Sequence, residues 1–468
     1  MKAFTSYGIG SDQMNRNTGR SATTIILRYR NSPAWLSIKT LRRNLLESYQ
    51  IALPSARFAL LSRKSAQIPQ MISQSLRREP RLRLIFIETN PPPTRLLEVL
   101  RQDFSLNEIE LTFHVYGDFT LLSPEWAQLL PLLSGFRVRF VVASRAHFGL
   151  VGRLIGKEAE RKICPLASDE SIFNFARANH FRRKLKIPLT ASVLIYTGRL
   201  SLEKNPDLIL FVAKRLAAMK TDADWRLIIC GDFDNVGEQF GGAVAQKSFR
   251  KKWQDTLSEL PQDVRTRIIM TGSLNPKNLV EALRASDLFI SLSTHHDEDF
   301  GLSPAESLMA GTPCLLSDWG GFRDFQRLKT KGHRFCRLVP VRLGAKGPEM
   351  DLNVAAQIAS EILARPLSGP QKNQLSRSAQ KALGIDAVAQ RLRQINLTSP
   401  RIFRDSVAGL AREHSLRVMG LRHGFAAFHQ DRRKDSLYLK VYASYYQAEA
   451  KLPDPKRAVG ARRSKKSK

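Results

Sequence analysis

Short apolar runs alternate with longer amphipathic stretches along the first part of the chain. Five of the runs are short and rich in β-branched or aromatic residues, as buried parallel strands are. These runs are Thr23–Tyr29, Arg57–Leu61, Leu84–Glu88, Leu111–Tyr116 and Val138–Ala143. Amphipathic stretches such as Leu36–Ser48 and Glu125–Leu133 lie between them. This alternation predicts βαβ units and a doubly wound parallel sheet.

The same alternation returns in the second half of the chain. The strands predicted there are Ser192–Thr197, Trp225–Cys230, Arg267–Met270, Leu288–Leu292 and Thr312–Leu316. Helices fit between them, notably over Pro206–Met219 and Pro276–Ala285. Two α/β series predict two domains with a cleft between them, and open sheets bind ligands beyond the carboxyl ends of their strands.

The predicted organisation has five parts. They are an irregular segment over 1–22, an α/β domain over 23–180, a second α/β domain over 181–365, helices over 366–450 and a basic disordered tail over 451–468. The basic segment 174–190, which contains Pro188, is interpreted as the linker. The helical part carries an aromatic stripe that we interpret as packing, formed by Tyr438, Tyr442, Tyr445 and Tyr446.

The charge and the cysteines narrow the function classes. Lys and Arg total 74 against 42 Asp and Glu, a net charge of +32. Such a surface attracts polyanions, and both a solvated basic surface and a specific polyanion partner remain open. The four cysteines form no CxxC pair, so buried free thiols are expected.

No apolar run reaches bilayer-spanning length and the N-terminus lacks a secretory pattern, which together predict a cytoplasmic protein.

The first candidate motif follows strand Ser192–Thr197, in the sequence TGRLSLEKNP. Gly198 permits a sharp turn and close approach of a ligand to the backbone. Arg199 offers a planar fork of donors and Lys204 a mobile point charge, just before a helix N-terminus that favours anions. Two interpretations remain open: a diphosphate clamp, or a surface salt bridge between Glu203 and one of the two cations.

The second candidate motif contains two glutamates separated by seven residues, Glu298 and Glu306. Ser303 and Glu306 have the spacing of a capping box, with Pro304 at the first helical position. Glu306 is therefore expected either to cap its own helix or to accept hydrogen bonds from a ribose.

Glu298 lies in a loop between two other acidic residues, Asp297 and Asp299. Three successive carboxylates are costly unless they are solvated or used, so we expect this loop to bind sugar hydroxyls. The adjacent His295 and His296 point apart and no third ligand has suitable spacing, so no metal is expected.

Together these motifs resemble the retaining group 1 (family four) glycosyltransferases of GT-B fold. The resemblance extends from about Val193 to Asp324. Five elements carry it in family order: TGRLSLEKNP, LIICGD, IIMTGSL, LRASDLFISLS and EDFGLSPAESLMAGTPCLLSDWGG. It implies two Rossmann-like domains facing across a cleft, the first for the acceptor and the second for a nucleotide-sugar donor, with extra C-terminal helices. The implied reaction transfers a sugar to a glycan or lipid-linked acceptor with retention, without a metal or other cofactor.

The resemblance also implies a role for individual positions. Arg199 and Lys204 would neutralise the donor diphosphate, Glu298 would hold the donor sugar and Glu306 would bind the ribose. It further implies that the backbone lies close to the donor at six positions: Gly198, Gly231, Phe300, Gly301, Leu302 and Ser303. The segment Phe113–Asp118 is similar to the family's strand-end histidine segment, which implies that His114 touches the donor sugar.

Three departures from the family pattern concern acceptor geometry and donor identity. No glycine occurs in Arg28–Pro33 after the first strand, Phe233 replaces the second glycine of a G-x-G, and Arg323-Asp324 replaces a Pro-Glu. In the first domain, Val141–Arg145 resembles the family's next strand and loop, and Ile163–Asp169 the strand that leads into the linker.

Alternative functions remain open at this point. The charge suits a basic nucleic-acid-binding α/β protein, although no basic-aromatic binding module is visible in the sequence. A catalytically inactive GT-B-like protein and a different GT-B activity, a sugar phosphorylase or epimerase, are two more. The charge also suits an enzyme of cell-envelope polysaccharide biosynthesis that is peripheral at the inner, anionic membrane face.

Overall fold

The computed structural model describes most of the chain between the first predicted strand and the C-terminal helices. The described residues are 22–29, 36–61, 67–89, 93–117, 119–120, 122–173, 178–219, 224–233, 242–330, 333–344, 347–404 and 441–445. The predicted irregular N-terminus, the basic tail, Tyr438, Tyr446 and most of the helical region over 400–450 lie outside these residues. So do Asp118 and the greater part of Arg28–Pro33.

The first domain is built on a six-stranded parallel sheet in the order β2-β1-β3-β4-β5-β6. Its strands are β1 (Thr23–Tyr29), β2 (Arg57–Leu61), β3 (Leu82–Phe86), β4 (Ile109–Val115), β5 (Arg137–Val142) and β6 (Glu160–Ile163). Its helices are α1 (Leu36–Ala52), α2 (Gln67–Leu76), α3 (Thr94–Asp103), α4 (Ser123–Leu129) and α5 (Arg145–Ile155). Short 3₁₀ turns cover Leu106–Glu108, Leu130–Leu133 and Glu170–Phe173. The five strands predicted for this domain are confirmed, to within two residues at their ends.

The sixth strand corrects one expectation. Strand β6 ends at Ile163. The resemblance to the family had implied a strand that begins there and covers Ile163–Asp169. The strand has the sequence ERKI and forms the edge of the sheet, with two of its four residues exposed. Edge strands tolerate charged residues because one side faces solvent, and this explains why hydrophobic patterning did not find it.

The second domain has its own six-stranded parallel sheet, in the order β14-β11-β10-β7-β8-β9. Its strands are β7 (Ser192–Thr197), β8 (Trp225–Cys230), β9 (Ile268–Gly272), β10 (Leu288–Ser291), β11 (Cys314–Ser317) and β14 (Cys336–Val339). Two hairpins flank β14, formed by β12 (Lys329–Thr330) with β13 (His333–Arg334) and by β15 (Val341–Gly344) with β16 (Gly347–Met350). The five strands predicted here are confirmed, and β14 is a further strand.

Helices cover both faces of the second sheet and continue beyond it. They are α6 (Ala178–Lys184), α7 (Asp207–Ala218), α8 (Gly242–Ser258), α9 (Gln262–Arg265), α10 (Pro276–Arg284), α11 (Leu302–Ala310), α12 (Leu352–Ala364), α13 (Gly369–Leu383) and α14 (Ile385–Asn396). Two 3₁₀ segments, Leu202–Lys204 and Gly320–Arg327, follow β7 and β11. The doubly wound α/β arrangement predicted for both halves is confirmed.

The segment interpreted as the linker contains helix α6, which packs on the second domain. Phe181 is buried in that domain's core. The Arg182 guanidinium donates to Asp287 across 2.8 Å and to the Ala285 carbonyl across 2.8 Å. A buried ion pair with a distant carboxylate therefore holds this basic segment in place.

The C-terminal helices connect the two domains. Helix α13 lies against α11, where the Ser376 hydroxyl donates to the Met309 carbonyl across 2.5 Å. Helix α14 then packs against α1 of the first domain, with Val388 and Leu392 buried beside Tyr49. The predicted helical extension is therefore present over α13 and α14, and it returns the chain to the first domain.

All four cysteines are free and buried, as predicted. Burial raises the pKa of the Cys230 thiol to about 11 and that of the Cys164 thiol to about 12. These thiols therefore stay protonated and unreactive near neutral pH. None of the helices in the described ranges combines the length and apolar character needed to cross a bilayer.

Candidate active site

The carboxyl ends of β7, β8 and β9 are brought together by two glycines. Gly198 and Gly231 have φ angles of 150° and 143°, which side-chain-bearing residues rarely adopt. The Gly198 amide donates to the Cys230 carbonyl across 3.0 Å, and the Gly231 amide donates to the Gly272 carbonyl across 3.0 Å. A Cβ atom on Gly231 would overlap the Gly198 carbonyl oxygen, so the close backbone approach requires glycine.

Arg199 and Lys204 lie on the loop that follows Gly198. The Tyr196 hydroxyl donates to the Arg199 carbonyl across 2.8 Å and fixes the start of this loop. The Arg199 guanidinium lies 3.4 Å from the Glu203 carboxylate, so the surface pair left open by the sequence is present. Lys204 instead reaches across to Glu298, with 2.8 Å between Nζ and Oε2.

Glu298 is a buried carboxylate with a specific set of partners. It is 5% exposed, and its Oε2 accepts from Lys204 and from the Ser293 hydroxyl, the latter across 2.7 Å. Within the described part of the chain, both of its side-chain hydrogen bonds fall on Oε2. The other carboxylate oxygen is left to accept from a ligand hydroxyl.

Asp297 is bound to the first domain rather than to solvent. Its carboxylate accepts from the Thr120 amide and, across 2.8 Å, from the Thr120 hydroxyl. His296 Nε2 lies 3.1 Å from the same carboxylate. Burial alone would raise the pKa of Asp297, but the facing His296 and the hydrogen bonds from His296 and Thr120 lower it. Asp297 is therefore an anionic contact between the domains.

Asp299 makes a second contact between the domains. Its carboxylate accepts from the Gly117 amide across 2.8 Å. Burial raises the pKa of Asp299 to about 7, with further upward contributions from Glu298 and Asp297. Two of the three successive carboxylates, Asp297 and Asp299, are thus used to join the domains, and sugar binding by this loop stays a prediction. Gly117 and Thr120 were missed because nothing in their local sequence indicates these partners.

Helix α11 starts at Leu302 with Gly301 as its N-cap residue, and no described side chain caps it. The capping box predicted for Ser303 and Glu306 is therefore absent, because the helix begins one residue before Ser303. Burial raises the pKa of the half-buried Glu306 carboxyl to about 7. The uncapped amides of this helix start are free to bind an anion.

The residues before this helix are positioned by aromatic packing. Gly301 has a φ angle of 100°, and a Cβ atom there would overlap the Phe322 ring. The Phe300 ring is buried 5.2 Å from that of Phe325. Phe300 thus anchors the loop in the core. Gly311 ends the helix in the left-handed conformation.

His114 lies near the end of β4, as predicted, and both its ring nitrogens are hydrogen bonded inside the first domain. Nε2 lies 2.5 Å from the Tyr49 hydroxyl and Nδ1 lies 2.6 Å from the Tyr116 hydroxyl. Burial lowers the pKa of His114 to about 3, so the ring is neutral. Contact between His114 and a donor sugar stays a prediction.

Two of the family departures have a structural reason. The Phe233 ring packs against Phe249 and Trp253, with centroid distances of 6.4 Å, and thereby fixes α8 beside the loop after β8. The Asp324 carboxylate accepts from the Arg145 amide at the start of α5 across 2.9 Å. Both substitutions therefore contribute packing or an interdomain bond where the family has other residues.

The described residues contain no cluster of three or more His, Cys, Asp or Glu side chains arranged to hold a metal ion. The two adjacent histidines have different surroundings. His296 faces Asp297 across 3.1 Å, whereas His295 Nδ1 accepts from the Asp297 amide across 3.3 Å. Lys204 supplies the positive charge beside Glu298, whereas Arg199 pairs with Glu203.

Residues 178–333, which include the two motifs described above, match the family model of the glycosyl transferases group 1. The match lies mainly in the second domain and spans a third of the chain. The resemblance inferred from the five sequence elements is therefore confirmed. A D-inositol 3-phosphate glycosyltransferase from Acidothermus cellulolyticus is 27% identical over 248 residues, 51% of this chain and 51% of that protein. The chain thus matches about half the length of this relative, and less of several others.

Solved structures match over a longer stretch. Sucrose-phosphate synthase from Thermosynechococcus elongatus is 15% identical with a TM-score of 0.54, covering 80% of this chain and 98% of that one. Anabaena Alr3699/HepE, solved in complex with UDP-glucose, is 12% identical with a TM-score of 0.53 over 80% and 99% of the two chains. At these identities the likeness concerns the fold, and the predicted GT-B arrangement around the group 1 domain is confirmed.

Proposed function

We propose that the chain transfers a sugar from a nucleotide-sugar donor to a glycan or lipid-linked acceptor, with retention of anomeric configuration and without a metal. The observation that carries this proposal is the contact between Lys204 and Glu298, which joins the two candidate motifs at the carboxyl edge of the second sheet. The group 1 match over the same residues and the UDP-glucose complex of a protein with the same fold support a nucleotide-sugar donor.

The charges suit the proposed reaction. When the bond between the anomeric carbon and the diphosphate breaks, negative charge develops on the departing phosphate. Arg199, Lys204 and the uncapped amides at the start of α11 offer positive partners for it. Lys204 has three donor hydrogens, so it can bind a phosphate oxygen while it keeps Glu298. The acceptor hydroxyl would pass its proton to the leaving phosphate.

The acidic residues suit the neutral parts of the donor. The Glu298 oxygen that carries no bond from the described residues would accept from sugar hydroxyls, and Glu306 on the first turns of α11 would accept from the ribose. Gly198, Gly231 and the backbone of 300–303 would line the donor site. His114 is proposed to touch the sugar only if its hydrogen bond to Tyr49 or Tyr116 opens.

A thermal-shift screen with UDP, GDP, ADP and their common sugar conjugates tests the donor. A ligand at about 100 times its dissociation constant adds about 2.7 kcal/mol of stability. We expect one nucleotide and its sugar conjugates to raise the melting temperature. Hydrolysis of that nucleotide-sugar, or transfer of its sugar, should be lost in Glu298→Ala. Binding of DNA or heparin with no response to any nucleotide would instead favour the polyanion-binding function that the net charge of +32 suggests.

A further inference from the structure

A short C-terminal segment, Val441–Tyr445, lies between the two domains; we call it the C-terminal strap. Val441, Tyr442 and Tyr445 are fully buried. The Ser444 hydroxyl donates to the Ala146 carbonyl of α5 across 2.8 Å. The Gly320 amide of the second domain donates to the Tyr445 carbonyl across 3.0 Å. The strap is therefore bonded to both domains at once.

Tyr442 begins a chain of hydrogen bonds that ends on the loop Asp297–Asp299, which we call the acidic loop. Its hydroxyl donates to Thr120 Oγ1 across 2.8 Å. Thr120 in turn donates from the same oxygen to Asp297 across 2.8 Å. Because the Thr120 hydroxyl both accepts and donates, the two bonds strengthen each other. Tyr442 thereby fixes the direction of the Thr120 hydroxyl and, through it, the position of Asp297.

Tyr445 supports the same loop from the other side. Its ring meets the Trp319 ring edge-to-face, with 5.7 Å between centroids. The Trp319 indole donates to the His295 carbonyl across 2.8 Å. No described residue bonds to the Tyr445 hydroxyl. Burial raises the pKa of this phenol, and so do the charges of Asp297, Asp299 and Glu298.

The backbone under the strap contacts the acidic loop directly. The Gly321 amide donates to the Glu298 carbonyl across 2.7 Å. Cβ atoms on Gly320 and Gly321 would overlap the carbonyl oxygens of Glu298 and Asp299 respectively. A shift of the strap at Tyr445 would therefore move Gly320 and, with it, the backbone that carries Glu298.

We propose that the C-terminal strap positions the loop Asp297–Asp299, with Tyr442 acting through Thr120 and Tyr445 acting through Trp319 and Gly320. This deepens the proposed function, on which it rests, because the loop presents Glu298 to the donor sugar. Tyr442 and Tyr445 are positioning residues: they hold the loop that carries Glu298 and need no contact with the reacting atoms.

Hydrogen exchange in the absence of any ligand tests the positioning itself. Tyr442→Phe keeps the ring and removes only the hydroxyl, and we expect about tenfold faster exchange of the amides of Gly117, Thr120, Asp299 and Gly321. The matched control is Ser192→Ala, which also removes one buried hydrogen bond, to the Leu363 carbonyl, at the opposite end of β7. Equal exchange rates of these loop amides in Tyr442→Phe and in the native chain would overturn the proposal.

A double-mutant comparison separates positioning from general loss of stability. Thr120→Val and Tyr442→Phe break the same chain, so each is expected to speed loop exchange and the double variant to add little. Thr120→Ser keeps the hydroxyl and should behave as the native chain does. Additive effects, or no rescue by serine, would contradict the chain Tyr442–Thr120–Asp297.

UDP-glucose hydrolysis provides the functional measurement. We expect Tyr442→Phe to lower kcat about tenfold with a smaller change in KM, because Glu298 is displaced while the diphosphate partners Arg199 and Lys204 remain. If the native chain binds no nucleotide yet loop exchange responds as expected, the proposed function fails and the positioning by the strap stands. If the native chain turns over UDP-glucose and Tyr442→Phe alters neither rate nor exchange, the strap proposal fails alone.

Discussion

The Lys204 ammonium donates to Oε2 of Glu298 across 2.8 Å, although the two residues are 94 positions apart. The contact joins a loop after β7 to a loop after β10, which are neighbouring strands in the sheet. Parallel strands present their carboxyl ends at one edge, so the topology brings this cation and this anion together. The Glu298 side chain is 6% exposed in this pair, whereas that of Lys204 is 23% exposed.

Lys204→Ala should remove donor binding as well as some stability. Leaving Glu298 without its cation is expected to cost about 1–3 kcal/mol of the free energy of unfolding. Lys372→Ala is the matched control, because Lys372 lies 2.9 Å from Asp287 with similar side-chain exposure, 21% against 23% for Lys204. Denaturant unfolding should show a loss in both variants, smaller in Lys372→Ala because Asp287 keeps Arg182. Calorimetry should show at least about tenfold weaker nucleotide binding only in Lys204→Ala. Equal nucleotide binding by both variants would contradict the assignment of Lys204.

Gly231→Ala should disturb the junction of the β7 and β8 loops. The added Cβ would overlap the Gly198 carbonyl, and the φ angle of 143° is unfavourable for alanine. We expect a loss of about 1–3 kcal/mol in the free energy of unfolding. Gly369→Ala is the control, since nothing lies within 4 Å of a Cβ atom there. Comparable denaturation midpoints for the two variants would show that the close approach at Gly231 does not constrain the fold.

The raised pKa of Asp299 predicts a pH dependence of stability. Its folded pKa of about 7 lies above the ordinary value of about 4. Between these values the folded chain holds a proton that the unfolded chain releases, so stability falls as the pH rises from about 4 to about 7. Asp299→Asn mimics the neutral form and can still accept from the Gly117 amide.

Urea unfolding of the native chain and Asp299→Asn at several pH values provides the measurement. The asparagine variant should become the more stable of the two, by about 1 kcal/mol or more, as the pH rises through this window. Above about pH 7 the difference should stay constant. Parallel stability profiles from pH 4 to pH 8 would contradict a protonated Asp299.

The net charge of +32 predicts binding to anionic membranes. We expect the chain to float with anionic liposomes at physiological salt and not with neutral ones. Raising the salt should release it, because screening weakens attraction between exposed charges. Absence of co-migration with anionic liposomes would rule out the peripheral membrane location proposed from charge.

The sequence alone determined much of the fold and the residue types of the candidate site. Buried strands such as β7 and β10 are short continuous apolar runs, and this signal is local. The glycine at 198 and the cations and acids of the two motifs could also be identified locally, because turn geometry and charge belong to single residues. Edge strand β6 and helix α6 escaped notice because their polar sequences are stabilised by neighbours far along the chain.

Only the tertiary structure decided which charges meet. Glu203 and Glu298 were both available to the cations. Arg199 pairs with Glu203 four residues along the same loop, and the strand order brings Lys204 to Glu298. The sequence showed only that the three successive carboxylates must be solvated or used, whereas the structure bonds Asp297 and Asp299 to Thr120 and Gly117 of the other domain. Partner choice depends on distances between segments that are remote in sequence, and hydrophobic patterning and local motifs carry no information about those distances.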